Sequence, residues 1–313
     1  MITRRILLAS GAALSLPGVA RAAPRLRIGT QKGGVLVIVR QQRRLEALGL
    51  APEWVEFTSG PPMLEALNAG AVDFGATGNT PPIFAQAAGS ALVYVGAQPL
   101  TGVDHAILVR QDSPIQTLAD LRGKRFAFTK GSSAHAMALL ALDRAGLTPA
   151  DIQHVNLQPA DAGAAFRGGA IDAWAIWDPF YAIAAQDPAT RVLTTGEGLS
   201  PGNSFFLASR NFAQQEPQLL QTILAVINEA AAWARDNPEP LAKVLSEVTG
   251  VPLAAQRVSA ARGVYAVQPL NDTIVAQQQE VADRFAALHI LPARIDVAAA
   301  VWHPSQRRVE ARP

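Results

Sequence analysis

The chain has no cysteine. Disulfides, thiolate catalysis and a lipid anchor on cysteine are therefore excluded. Charge is sparse, at 17% of residues, and no block of one sign occurs. Lys and Arg number 27 against 25 Asp and Glu; setting aside Arg4, Arg5 and Arg21, read below as part of a removable leader, leaves 24 basic residues against 25 acidic. That balance offers no electrostatic footprint for nucleic acid or an anionic membrane. The five His residues show no metal-ligand spacing, and no Walker or G-x-G-x-x-G motif is present, so neither metal nor cofactor is expected. Gly198-Leu199-Ser200-Pro201-Gly202 fits the pattern G-x-S-x-G. The oxyanion hole of such an elbow needs the N–H of the residue after the serine. Here that residue is proline, which has none, so the chain is not expected to be an enzyme.

Apolar runs long enough to cross a membrane are also missing. Ile6 to Leu16 follows Arg4-Arg5, is broken by Pro17-Gly18, and leads to the small-x-small site Ala20-Arg21-Ala22. Residues 1–22 read as a signal peptide, too short to span about 30 Å of hydrocarbon. Thr3-Arg4-Arg5-Ile6-Leu7-Leu8 fits a twin-arginine signal as well as an ordinary Sec leader. Either route predicts a mature chain starting near Ala23, outside the cytoplasm and without a transmembrane segment.

What remains is an ordered globular chain, 49% hydrophobic over 313 residues, long enough for two domains at about 150 residues each. One stretch organises it. Met63, Leu64 and Leu67 have helical spacing, Gly70 supplies a stop, and Val72 to Ala76 suits an enclosed parallel strand. Thr77-Gly78-Asn79 turns the chain, and Thr80 is placed to cap a helix with proline in its first turn. The stretch has an echo: Gly70-Ala71-Val72-Asp73 aligns with Gly169-Ala170-Ile171-Asp172. Arg27-Ile28-Gly29-Thr30-Gln31-Lys32-Gly33 aligns at nearly the same offset with Arg125-Phe126-Ala127-Phe128-Thr129-Lys130-Gly131. Two similar lobes are expected, with Asp73 and Asp172 structural rather than an acid/base pair.

Strands are expected at 26–29, 52–57, 72–76, 91–95, 105–110, 125–128, 151–157, 171–176, 191–193 and 205–208. Helices fall between them, at 35–47, 63–67, 81–88, 134–145 and 160–167, with a short helical segment at 118–121. This alternation argues parallel sheets covered by helices. From Glu216 onward the pattern is helical: 218–235, 238–248, 252–261 and 274–288. Ligands of open parallel sheets sit beyond the carboxyl ends of the strands. Four loops occupy such ends: Thr30-Gln31-Lys32-Gly33, Thr77-Gly78-Asn79, Lys130-Gly131-Ser132-Ser133 and Trp177-Asp178-Pro179. Neutral donors dominate three of them; the fourth adds a Trp face and a carboxylate. They suit an anionic head with an apolar or mixed tail. A helix N-terminus contributes about 0.3–1 kcal/mol toward an anion, whereas micromolar binding takes about 8 kcal/mol. Hydrogen bonds and tail burial, at about 0.8 kcal/mol per CH₂, must supply most of it. Each loop also has a plainer reading: Thr80, Ser132 and Asp178 as helix caps, Lys32 and Lys130 as solvated charges. Of Trp174 and Trp177, the second is the better cleft wall. His135 reads as packed or capping at least as readily as ligand-binding, and Arg262 as one half of a surface ion pair.

Longer runs are more specific. Gln31-Lys32-Gly33, Gly60-Pro61-Pro62-Met63-Leu64-Glu65-Ala66-Leu67-Asn68, Pro81-Pro82-Ile83-Phe84-Ala85-Gln86-Ala87-Ala88-Gly89, Leu92-Val93-Tyr94-Val95-Gly96, Lys130-Gly131-Ser132-Ser133 and Asp172-Ala173-Trp174-Ala175-Ile176-Trp177-Asp178-Pro179 occur in this order. They resemble the periplasmic aliphatic-sulfonate-binding proteins of ABC importers through most of the mature chain. The resemblance implies a two-lobed α/β fold of the type II periplasmic-binding-protein class, each lobe a mostly parallel sheet flanked by helices, with two hinge crossings near 105–110 and 203–208. It implies a discontinuous first lobe, 23–107 and 207–313, around a second lobe, 108–206. It also implies an alkanesulfonate ligand held by Gln31, Gly78, Asn79, Ser132, Ser133, Trp177 and Asp178, and a monomer that delivers it to a permease with its ATPase. Asn79 departs from the Asp of some relatives, offering a donor where Asp repels an anion. Within the same superfamily, taurine, an aromatic sulfonate or another small anion is the alternative ligand. An enzyme of pyrimidine or menaquinone biosynthesis is the alternative class.

Overall fold

In a computed structural model the structure describes residues 25–199 and 202–304; the leader and the Ser200-Pro201 step lie outside the described residues. In chain order the elements are β1 (Leu26–Thr30), α1 (Val35–Gln41), β2 (Pro52–Glu56), α2 (Gly60–Asn68), β3 (Phe74–Thr77), α3 (Thr80–Ala87), β4 (Leu92–Leu100), β5 (His105–Arg110), β6 (Arg125–Ala127), α4 (Ser133–Arg144), β7 (Gln153–Val155), α5 (Pro159–Arg167), β8 (Ala173–Trp177), α6 (Phe180–Ala184), β9 (Thr190–Thr195), β10 (Gly202–Ser209), α7 (Arg210–Gln215), α8 (Pro217–Asp236), α9 (Pro238–Thr249), α10 (Leu253–Arg262) and α11 (Asp272–Ala287).

The strands form two five-stranded sheets, ordered β2-β1-β3-β10-β4 and β7-β6-β8-β5-β9. In each sheet four strands run one way and a single strand, second from an edge, runs against them. In the first sheet that strand is β10, antiparallel to β3 and β4; in the second it is β5, antiparallel to β8 and β9. Both are strands by which the chain enters a sheet from the other one. Each sheet is thus mixed but mostly parallel, and is enclosed on both faces.

Burial follows the period-two alternation of the strands. Val93, Val95, Phe206 and Ala208 face α1, α8 and α9 in one core, while Leu92, Tyr94, Phe205 and Leu207 face α2, α3 and α11 in another. In the second sheet Ile107, Val109, Phe126 and Ala175 meet α4, and Ala106, Leu108, Trp174 and Ile176 meet α5 and Tyr181. Ala136 and Leu139 of α4 join the core of the first sheet, so this helix packs on both.

The sequence echo is a repeated clamp. Arg27 donates its backbone N–H and Nε to Asp73 Oδ2, at 2.8 and 3.0 Å, and Nη2 to Oδ1 at 2.6 Å. Arg125 donates to Asp172 through the same three groups, at 2.8, 3.1 and 2.7 Å. Each carboxylate thereby ties the first strand of its unit to the third, β1 to β3 and β6 to β8. Gly29 and Gly75 sit side by side in β1 and β3, and a Cβ on either would meet the Met63 side chain within 2.8 Å. Their bareness lets α2 lie close on the sheet.

Several elements differ from expectation. The helix over 35–47 ends at Gln41, because Arg43 takes φ 48° and the chain turns to bury Leu45. Gly60-Pro61-Pro62 is the first turn of α2 rather than a loop before it. Thr80 does not cap α3: it is the first helical residue, and its hydroxyl donates to Asn79 Oδ1 at 2.8 Å. The strand expected over 151–157 shrinks to β7, because Thr148 and Asp151 close a capping box around a short 3₁₀ turn. Helix α7 lacked a signal long enough to read.

Candidate ligand-binding site

A cavity of about 190 Å³ lies between the two sheets. Gln31, Lys32 and Gly33 reach it from the end of β1, Thr77 and Gly78 from the end of β3, Ser132 from the turn before α4 and Ser133 from its first position, and Trp177 and Asp178 from the end of β8. These are carboxyl ends of parallel strands, where helices begin. Val35, Gly60, Ser133 and Phe180 open α1, α2, α4 and α6, and all four line the space, with Pro81 from the first turn of α3. Several positive helix ends therefore face one volume. The apolar part of the wall comes from Leu36, Trp177, Phe180, Leu245, Val264 and Tyr265.

The nearest cations are engaged elsewhere. Lys32 donates to Thr249 O at 3.1 Å. Arg262 Nη1 donates to Asp178 Oδ1 and Oδ2 at 3.1 and 3.2 Å and lies 3.8 Å over the Tyr181 ring. Asp178 Oδ1 also accepts the Ala182 N–H at 2.9 Å, which makes it a cap on α6. Burial lifts the Asp178 carboxyl to about 6, against the pull of Arg262.

A hydrogen-bond chain runs along one wall. His105 Nε2 is 2.8 Å from Ser133 Oγ, and Nδ1 is 3.0 Å from Asp104 Oδ1. Burial pushes the His105 imidazole down, but the charge and hydrogen bond of Asp104, with the charge of Asp178, leave it above its ordinary value. Burial likewise works to raise Asp104, and His105 outweighs it, so that carboxyl lies below its usual range.

The two halves touch around the cavity. A Cβ on Gly78 would stand 2.8 Å from Ser133 Cβ and 3.0 Å from Ser133 Oγ. Thr58 and Ser59 donate to Gln158 Oε1 at 3.2 and 2.9 Å. Among the described residues no helix is long and apolar enough to cross a membrane.

Known proteins share this fold. The NMT1/THI5-like family model matches residues 48–240. The alkanesulfonate-binding protein SsuA from Xanthomonas axonopodis pv. citri, bound to MOPS, is 44% identical over 90% of this chain and 99% of that one, with a TM-score of 0.87. The periplasmic aliphatic sulphonate binding protein SsuA from Escherichia coli is 42% identical over 92% and 96%, with a TM-score of 0.82. The chain belongs to the SsuA family. It is also 30% identical to the taurine-binding periplasmic protein of Escherichia coli K12, over 65% of this chain and 66% of that protein. The two-lobed type II fold implied by the sequence is the SsuA fold.

Six of the seven residues expected from the SsuA pattern line the one cavity: Gln31, Gly78, Ser132, Ser133, Trp177 and Asp178. Asn79 does not. It is buried, its carbonyl accepts from Gln278 Nε2 at 2.6 Å, and it borders only a separate void of about 20 Å³ behind Ser133 and His105. Its amide serves the Thr80 hydroxyl, so its difference from Asp bears on the start of α3 rather than on the cavity. The Ser132 hydroxyl is already committed, donating to Thr129 O at 2.7 Å, and Gln31 Nε2 donates to Ala76 O at 3.1 Å. Arg262 forms a partly buried ion pair, not the expected surface one. His135 is packed among Phe84, Phe128 and Phe285 and accepts the Gly131 N–H at Nδ1, 3.1 Å. Asp104, His105 and Tyr265 were not anticipated. No motif marks them; His105 reaches the cavity only through the antiparallel pairing of β5 with β8, which sets it opposite Trp177.

Proposed function

We propose that the protein is an exported solute-binding protein that takes an alkanesulfonate into the interlobe cavity and hands it to an ABC importer. One observation carries the reading: neutral donors from both sheets and several helix starts line one cavity whose nearby cations are already paired. A sulfonate is a strong acid that stays anionic, so it needs hydrogen-bond donors more than a titrating counter-charge. Gln31, Gly78 and Ser133 are the proposed head-group contacts, through side chains or backbone N–H groups, and Ser132, whose hydroxyl and N–H both donate to Thr129 O, holds the turn that presents Ser133. Trp177, Phe180 and Tyr265 wall the tail. Asp178 sets the electrostatic floor, neutralised by Arg262.

The proposed lobes are 23–107 with 207–313 against 108–206; the sheet membership of β5 and β10 favours placing both boundaries a few residues earlier. Differential affinity for the closed arrangement drives closure. The serine–histidine–aspartate order beside the cavity is also that of a hydrolase triad. Because the SsuA relatives are named as binding proteins, we read it as serving a bound anion.

The deciding experiment is a thermal-shift screen of alkanesulfonates, taurine, sulfate and nitrate, followed by titration calorimetry. Alkanesulfonates are expected to bind with a negative heat-capacity change and with affinity rising along the tail series. No heat from any alkanesulfonate would remove the assignment while leaving the fold intact.

A further inference from the structure

We propose that His105 is a positioning residue whose protonation turns the Ser133 hydroxyl toward the cavity as a donor, so that an anion binds together with a proton. The inference rests on the sulfonate reading above and adds its regulation. The geometry fixes the logic. Asp104 is an ionised carboxylate and can only accept, so His105 Nδ1 carries a hydrogen. In the neutral ring Nε2 is then an acceptor. Ser133 must donate to it across 2.8 Å, and only lone pairs of its oxygen face the cavity. An anion placed there meets lone pairs. In the imidazolium Nε2–H donates instead, Ser133 Oγ accepts, and its O–H is free to donate to the ligand.

Gly78 comes so close from the other sheet that a Cβ on it would fall 3.0 Å from Ser133 Oγ, and its lack of one leaves the hydroxyl room to turn. The charged groups facing the ring are Asp104 beside it and Asp178 from the loop before α6. Arg262 of α10 acts on both carboxylates, and Tyr265 stands near both. With Arg262 and the imidazolium present, this group of four is balanced before the ligand arrives. The surplus of acid groups around the ring holds its pKa above the ordinary value. A bound anion raises it further, and by reciprocity the proton strengthens anion binding.

The test uses ethanesulfonate, which does not titrate, on the full mature chain in two sulfonate-free buffers of contrasting ionisation enthalpy between pH 6 and 9. Affinity is expected to be flat at low pH. Above the His105 pKa of the free protein it should weaken by about tenfold per pH unit, with about one proton taken up per ligand. His105→Gln presents an amide N–H where Nε2–H stands, and is expected to bind with the low-pH affinity at every pH and without proton uptake. His105→Leu should bind at least tenfold more weakly throughout. Asp178→Asn should keep the uptake, since Asp178 is the other group titrating in this range. A wild-type affinity independent of pH, or uptake that persists in His105→Gln and vanishes in Asp178→Asn, overturns the proposal. Should His105→Gln fail to fold, ring ¹⁵N shifts of the wild type decide: ligand must convert His105, and not His135 or His154, to the imidazolium at pH 8. Absence of ethanesulfonate binding at any pH is a failure of the sulfonate reading, a different result from pH-independent binding.

Discussion

Arg262 Nη1 spans both carboxylate oxygens of Asp178, and that pair ties α10 to the loop that starts α6. Ala260 of α10 belongs to a core of the first sheet, and Asp178 follows a strand of the second. The pair is therefore both an interlobe tie and the neutraliser of a carboxylate beside an anion site.

Arg262→Gln leaves that carboxylate uncompensated. At pH 8, where Asp178 is ionised, ethanesulfonate should bind about tenfold more weakly, equivalent to about 1.4 kcal/mol. At pH 5 the loss should shrink, because a carboxyl already lifted to about 6 rises further without its partner and is protonated there. Calorimetry at the two pH values checks this; an equal loss at both would leave only the tie and remove the electrostatic account.

Gly78→Ala tests the closeness of the halves. The added methyl would lie 2.8 Å from Ser133 Cβ, closer than real Cβ atoms approach a neighbour. Overpacking of this kind costs about 1–3 kcal/mol, and here it falls on the approximated lobes. The expected result is ethanesulfonate affinity lower by that amount, with the melting temperature of the unliganded protein changed little.

Trp177→Ala separates head from tail. Trp177 lines the cavity while Trp174, three residues earlier, is buried in the core. Removing the indole should weaken octanesulfonate more than ethanesulfonate, by about 0.8 kcal/mol for each CH₂ no longer covered. Equal losses for the two ligands would take Trp177 out of the tail wall.

His135 makes the fold acid-sensitive. Burial first, then the neighbouring His154 and Lys130, lowers it to about 3, and its Nδ1 is occupied accepting the Gly131 N–H. Between pH 6.5 and about 3 the unfolded chain takes a proton that the folded chain refuses. This contribution is complete above pH 6.5 and is lost as pH falls, at about 1.4 kcal/mol per unit. Asp178 acts oppositely, since its raised pKa makes the folded chain the better proton binder below about 6. Urea unfolding of the wild type and His135→Gln at pH 7 and pH 5 isolates the histidine. The variant, which keeps an acceptor for Gly131, should lose about 2 kcal/mol less over that interval.

The alternation of strands and helices was legible where a parallel strand is a short apolar run next to glycine, as at β1 and β3. Asp73 and Asp172 could be read as structural from their repeated spacing, and the clamps with Arg27 and Arg125 give the reason. The cavity loops were legible because parallel strands end where helices begin. Residues contributed by strands running the other way were not. His105 meets Trp177 across antiparallel neighbours, and Asp178 meets Arg262 across 84 positions of sequence. Neither partner lies within the reach of any local period. Asn79 shares its loop with residues that line the cavity but borders the smaller void instead, a difference no local pattern marks.

Helix α4 belongs to two cores, with Met137 and Ala141 on one side and Ala136 and Leu139 on the other. Any widening of the cleft must draw Ala136 and Leu139 away from Phe84 and Phe285 and wet them, along with His135. The gate is thus greased on its own account, apart from what it encloses. Such contacts weaken on cooling, so a widened cleft should cost less in the cold than in the warm.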